Sequence, residues 1–222
     1  MSQRTIFAHQ SVGWQVIQGT NALADDLGQP DPLVIDVETG TIPPTGGYLG
    51  HWYVWENGDG LGKITEFDSM IRGGLHADAD VFVLKFCYAD LRATSGYTPA
   101  QLFAAYETVI DGLIADYPAK TFIPATETIV MEVDEDGPAN TLRMAYNELV
   151  RAKYGPTGRL WDIARALSTD PEGNRVTTVV SGQTVEHLYS GYASADQEHI
   201  SGPDSIGRKT AATPLLLILA GL

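Results

Sequence analysis

The sequence predicts an α/β fold: a mostly parallel sheet of five strands joined by crossover helices, with a β-hairpin inserted near residues 175–189. Short apolar runs alternate with longer amphipathic segments along the chain, which is the pattern such a sheet requires. A length of 222 residues suits one domain over residues 1–222, with a hydrophobic core of its own. With 44% hydrophobic and 19% charged residues and no low-complexity tract, the composition is that of an ordinary globular protein and excludes a disordered or fibrous one.

The strands are read at Thr5–Ala8, Leu33–Val37, Val81–Phe86, Thr121–Pro124 and Arg159–Ile163. Between them lie amphipathic stretches read as helices at Gly13–Leu27, Lys63–Gly73, Pro99–Tyr117 and Ala139–Tyr154. Pro99 suits a first helical turn, where its missing N–H is not needed, and Thr98 before it can cap the helix start. Glu38–Gly62, rich in glycine, proline and aromatics, is too long for an ordinary connection and is a candidate site loop. In Arg175–Tyr189 two β-branched runs flank Ser181-Gly182-Gln183, which predicts the hairpin. The apolar run Leu215–Leu222 falls far short of the roughly 20 residues a bilayer span needs, so it is read as the packed end of a final helix and no membrane association is expected.

The net charge of −14 has the wrong sign for neutralising phosphates, so no nucleic acid is expected as a partner, and strongly anionic substrates are disfavoured. A single cysteine, Cys87, excludes an internal disulfide and reads as a small core residue at a strand end. The first strand begins too near Met1 to leave room for a signal peptide, so the chain as given reads as cytoplasmic; a secreted form would have had its signal removed. The acidic run Glu132-Val133-Asp134-Glu135-Asp136 lacks the spacing of a Ca²⁺ loop and reads as a solvated loop. There is no histidine cluster with zinc-site spacing and no glycine-rich phosphate loop, so neither a metal nor another cofactor is expected.

Ligands of a doubly wound sheet bind beyond the carboxyl ends of its strands. This rule makes site candidates of His9-Gln10-Ser11, Cys87-Tyr88-Ala89-Asp90 and Thr126-Glu127-Thr128, with Ser194–His199 able to fold over the same edge. A serine hydroxyl becomes a useful nucleophile when a histidine takes its proton and a third group orients that histidine. His199 stands three residues after Asp196, near enough for the carboxylate to turn back onto the imidazole. Ser11 also has a plain alternative role, as a helix N-cap.

The segment Ile6-Phe7-Ala8-His9-Gln10-Ser11-Val12-Gly13, with Asp196-Gln197-Glu198-His199 before a terminal helix, resembles the SGNH (GDSL-like) hydrolases over almost the whole chain. The resemblance implies a flavodoxin-like three-layer α/β/α sandwich, with Ser11 as nucleophile, His199 as general base and Asp196 as its orienter. The usual Gly-Asp-Ser-Leu motif is replaced by His9-Gln10-Ser11-Val12, and Ala89 falls where the third motif carries an oxyanion-binding asparagine. The second motif's glycine matches Asn57-Gly58 or Gly60. An oxyanion hole is therefore expected from the Ser11 and Gly58 backbone amides and the Asn57 side-chain amide.

His9, Gln10, Trp55, Tyr88 and Asp90 are candidate substrate contacts, each with a second reading. His9 lines the site or satisfies a local hydrogen bond; Asp90 approaches the site or serves as a turn or cap residue. His51-Trp52-Tyr53 and Trp55 pack a long loop against the body or form a wall on which a sugar stacks. The expected function is hydrolysis of an ester, such as a short acyl group on a carbohydrate or other alcohol. The alternatives are a catalytically silent domain that binds carbohydrate or a protein partner, and a glycoside hydrolase working through two carboxylates.

Overall fold

The computed structural model of the protein describes residues 3–131, 139–201 and 203–221. Strands β1 (Arg4–His9), β2 (Val34–Asp36), β3 (Tyr48–Tyr53), β4 (Val81–Leu84) and β5 (Thr121–Ile123) form a parallel sheet in the order β2-β3-β1-β4-β5. Successive side chains of a strand face opposite sides, and both sides are covered. Phe7, Val81 and Val83 pack beneath α1 (Val12–Asp26), α5 (Ile163–Leu167) and α6 (Ile206–Ala220). Ile6, Ala8, Phe82 and Leu84 pack beneath α2 (Gly60–Arg72), α3 (Pro99–Asp116) and α4 (Ala139–Tyr154). The fold is a three-layer α/β/α sandwich, and burial on both faces is why its strands read as continuous apolar runs.

Two strand expectations need correction. Arg159–Ile163 is not a strand: Trp161 makes a single bridge to Ala125, and the chain then turns into α5. The cause is Asp162, whose carboxylate caps α5 by accepting the Arg165 N–H at 3.0 Å and is clamped by Arg151 at 2.7 and 2.9 Å. The missing fifth strand is β3, which lies inside the stretch read as one long loop. Gly50 sits in its middle, where a side chain would crowd Val37 at 2.8 Å and Ile6 at 3.3 Å.

The remaining local signals fold as their chemistry dictates. Thr98 and Gln101 close a reciprocal capping box with Pro99 in the first turn of α3. The hairpin pairs β6 (Thr177–Val180) with β7 (Gln183–Glu186) across Ser181 and Gly182, both at positive φ, as a two-residue turn of this twist requires. Glu132–Asp136 lies outside the described residues. Among the described residues no helix is long and apolar enough to cross a membrane.

The sheet topology fixes where a ligand can bind. From the central β1 the chain first builds one half of the sheet, β2 and β3, and then crosses to the other half, β4 and β5. The crevice beyond the carboxyl end of β1 lies at this switch point, and Ser11 is two residues past that end. Gly13 makes the tight entry into α1 possible, because any Cβ there would run into the His9 side chain.

Candidate active site

Ser11 occupies a sharp strand-to-helix turn at φ 47° and ψ −105°, a left-handed conformation that side chains rarely adopt. Strain of this kind, about 1–3 kcal/mol, persists only where the surroundings enforce it. Ser11 stands at the N-cap position of α1, yet its side chain makes no capping hydrogen bond. The hydroxyl instead meets Nε2 of His199, 188 residues away in sequence. On the far side of the ring, Nδ1 of His199 bonds Asp196 Oδ2 at 2.7 Å.

The loop carrying this pair is held from several directions. Asp196 Oδ1 accepts the backbone N–H groups of Glu198 and His199, each at 3.0 Å, and the Ser194 hydroxyl at 2.5 Å. Partial burial pushes the Asp196 carboxyl upward, but these bonds from Ser194, His199 and Glu198, with the His199 ring, hold it well below the usual carboxylate range. The Ile200 N–H donates to Gln15 Oε1 on α1 at 3.0 Å, tying the loop to the helix that Ser11 starts. The Tyr88 ring meets the His199 ring edge-on at 5.7 Å between centroids, and the Tyr88 hydroxyl donates to Glu198 Oε2 at 2.6 Å.

Beneath the site lies a buried ion pair that sequence reasoning missed. Lys63 on α2 and Asp90 after β4 are both fully buried, with Nζ 2.6 Å from Oδ2 and 2.9 Å from Oδ1. Asp90 also accepts the Cys87 N–H at 2.7 Å and the Gly58 N–H at 2.8 Å. Two expectations change as a result. Asp90, expected as a substrate contact, lies fully buried and joins the loop after β3 to the loop after β4 from inside the protein. The Gly58 N–H, expected in an oxyanion hole, is directed at Asp90 Oδ1.

Asn57 fares differently. Lys63 Nζ donates to its Oδ1 at 2.9 Å, and because an ammonium can only donate, the atom facing Lys63 must be the oxygen. The Asn57 amide is thereby oriented with its NH₂ group turned away from the core.

His9 is fully buried, its Nε2 3.3 Å from His51 Nδ1 and the two rings stacked at 5.2 Å. Burial, reinforced by His51, Lys85 and Lys63, pushes its pKa well below the ordinary histidine range, and of its two readings the structure places it in the local hydrogen bond with His51. Gln10 is also engaged: its amide donates to the Val54 and Trp55 carbonyls at 3.3 and 2.5 Å, fastening the long loop beside Ser11. Trp55 stays half exposed with its indole N–H on Asp59 at 2.9 Å. Tyr53 and Trp14 are also exposed, and both rings contact His51. Glu127 is fully buried, and burial pushes its carboxyl well above the usual range. Among the described residues no group of three or more His, Cys, Asp or Glu side chains is placed to hold a metal ion.

No family model and no curated protein sequence matches the chain. Solved structures do. The chain is similar to a lipase/acylhydrolase from Enterococcus faecalis, with a TM-score of 0.61 at 11% identity over 99% of this chain and 96% of that one. A GDSL-like lipase from Bacteroides thetaiotaomicron gives a TM-score of 0.59 at 11% identity, covering 99% of this chain and 89% of the other. An acetylxylan esterase from Geobacillus stearothermophilus gives 0.54 at 13% identity, covering 98% and 94%. The chain has the fold of the GDSL-like hydrolases, at a wide sequence distance from these examples.

Proposed function

We propose that the protein is a serine hydrolase that cleaves esters through an acyl-enzyme on Ser11. The observation that carries this reading is the unbroken line of hydrogen bonds from Ser11 Oγ through both nitrogens of His199 to Asp196. In the first half-reaction Ser11 Oγ attacks the ester carbonyl carbon while His199 Nε2 takes the hydroxyl proton. Asp196 holds the imidazole in the tautomer that accepts at Nε2 and stabilises the imidazolium formed. His199 then returns the proton to the departing alcohol, and water repeats the sequence to release the acid. The lipases and acetylxylan esterase that share the fold are in keeping with this chemistry.

In the tetrahedral intermediate the negative oxygen is held by the Ser11 backbone amide, at the positive end of α1, and by the outward NH₂ of Asn57. Asn57→Ala is expected to lower kcat at least tenfold, up to the roughly 10²–10³-fold that loss of one oxyanion donor produces. Wild-type turnover in that variant would remove Asn57 from the hole. The favoured substrate is a small acyl group on a carbohydrate or another alcohol, in keeping with the exposed aromatic rings of Trp14, Tyr53 and Trp55 at or after the carboxyl ends of β1 and β3.

The competing reading is a silent domain that binds carbohydrate or a protein partner, and it rests on Ala89, which has no side-chain donor. A fluorophosphonate probe separates the two. Adduct on Ser11, located by peptide mass spectrometry, supports the hydrolase; a folded protein that takes no label supports the binding domain.

A further inference from the structure

Lys85 lies one residue beyond β4, with its side chain fully buried beneath the Ser11 turn. Its backbone N–H donates to Ala8 O at 3.0 Å, and its Nζ donates to Gln10 O at 3.2 Å, the one hydrogen bond of this ammonium among the described residues. Removing an ammonium from water is strongly unfavourable unless something inside needs the charge, and a methionine would fill the same space without that penalty. The carbonyl it meets belongs to the Gln10–Ser11 peptide, whose other end is the Ser11 N–H. The same oxygen accepts the Gly13 N–H at 2.9 Å. The peptide is trans, so its C=O and N–H point in opposite directions. With the oxygen drawn inward by Lys85 and Gly13, the Ser11 N–H is aimed out of the core.

We propose that Lys85 is a positioning residue for ester hydrolysis: its ammonium, bound to the Gln10 carbonyl, orients and polarises the Gln10–Ser11 peptide so that the Ser11 N–H holds the oxyanion more strongly. A positive charge on the carbonyl oxygen draws electron density from the amide nitrogen, and hydrogen bonds in series strengthen one another. In a chain with Ala89 where a side-chain donor would otherwise stand, a stronger backbone donor offsets part of the deficit. The assignment rests on the hydrolase reading above.

The charge is titratable, which supplies the test. Lys85 is faced by His9 on β1, Lys63 on α2, Cys87 and Asp90 after β4, and Glu127 after β5. Burial draws its pKa down to about 8; Cys87 opposes this, Lys63 adds to it, and Asp90 and Glu127 oppose it. Below that value the ammonium polarises the peptide, and above it the effect is lost. With 4-nitrophenyl acetate, wild-type kcat should fall as pH rises through about 8, with KM unchanged. Lys85→Met should show kcat about tenfold lower at neutral pH and no alkaline limb, whereas Lys85→Arg should keep most of the turnover and move the limb upward.

A wild-type profile flat between about pH 7 and 9.5, or Lys85→Met turnover equal to wild type, overturns the assignment. If Lys85→Met does not fold, the wild-type limb and the Lys85→Arg profile decide alone. A wild-type protein that neither hydrolyses the ester nor takes fluorophosphonate removes the hydrolase reading and this one with it. Labelling of Ser11 with a flat pH profile removes only the role of Lys85.

Discussion

Alanine at His199 is expected to reduce kcat on a short-chain ester by about 10⁶-fold, with KM nearly unchanged. That corresponds to about 8 kcal/mol of transition-state stabilisation, and the geometry explains why so much depends on one ring. The Ser11 hydroxyl is bonded to His199 Nε2, so in the proposed mechanism its proton has nowhere to go without the imidazole as the oxygen attacks. Ser11→Ala should lose a similar amount, and the double variant no more than either single one, because the two residues act as a unit. Asp196→Asn should fall less, about 10⁴-fold, by presenting the wrong hydrogen-bonding partner to Nδ1. Asp196 divides its two oxygens: Oδ2 serves the His199 ring, while Oδ1 gathers the Ser194 hydroxyl and two loop amides. The Asp196 variant should therefore also loosen the loop, seen as faster amide exchange at Glu198 and His199. Near wild-type turnover in folded His199→Ala would end the serine-hydrolase reading.

What the sequence made legible was whatever depends on neighbours in the chain. The apolar runs of β1, β4 and β5, the Thr98–Pro99 helix start and the Ser181-Gly182 turn each carry a local signal strong enough to survive tertiary context. Asp196 and His199 are three residues apart, so their pairing could be read directly, and a family resemblance joined them to Ser11. β3 was hidden because Tyr48-Leu49-Gly50-His51-Trp52-Tyr53 has a glycine at its centre and lies between glycine- and proline-rich flanks. Its strand character comes from pairing with β1 and β2, which sequence does not display. Arg159–Ile163 failed for the opposite reason: its apolar run looks like a strand, but Asp162 is a helix cap. Asp90 enters the expected site through the strand-end rule and Gly58 through the second family motif, whereas in the fold their polar groups face each other. Lys85 did leave a signal, a charge between Leu84 and Phe86 in an apolar run, since a lysine there must be either buried for a reason or at odds with the strand.

Lys63→Met is expected to destabilise the fold by about 3–5 kcal/mol, a large share of the 5–15 kcal/mol that ordinarily separates folded from unfolded chains. The loss arises from what is left behind. Asp90 would stay fully buried with the Gly58 and Cys87 amides as donors but without the ammonium that bonds both of its oxygens. Removing both charges together does not restore the balance here as it can for an isolated pair, since without the carboxylate those two amides lose their acceptor. The double variant Lys63→Met/Asp90→Leu should therefore remain well below wild-type stability, and urea unfolding of the wild type and the two variants measures the difference. The same lysine fixes the Asn57 amide, so Lys63→Met that still folds in the cold should also turn over more slowly than wild type, by no more than Asn57→Ala does. A stability loss under about 1 kcal/mol would mean that solvent reaches the pair, and Asp90 would then be too weak an anchor to hold the Gly58 loop against the active-site edge.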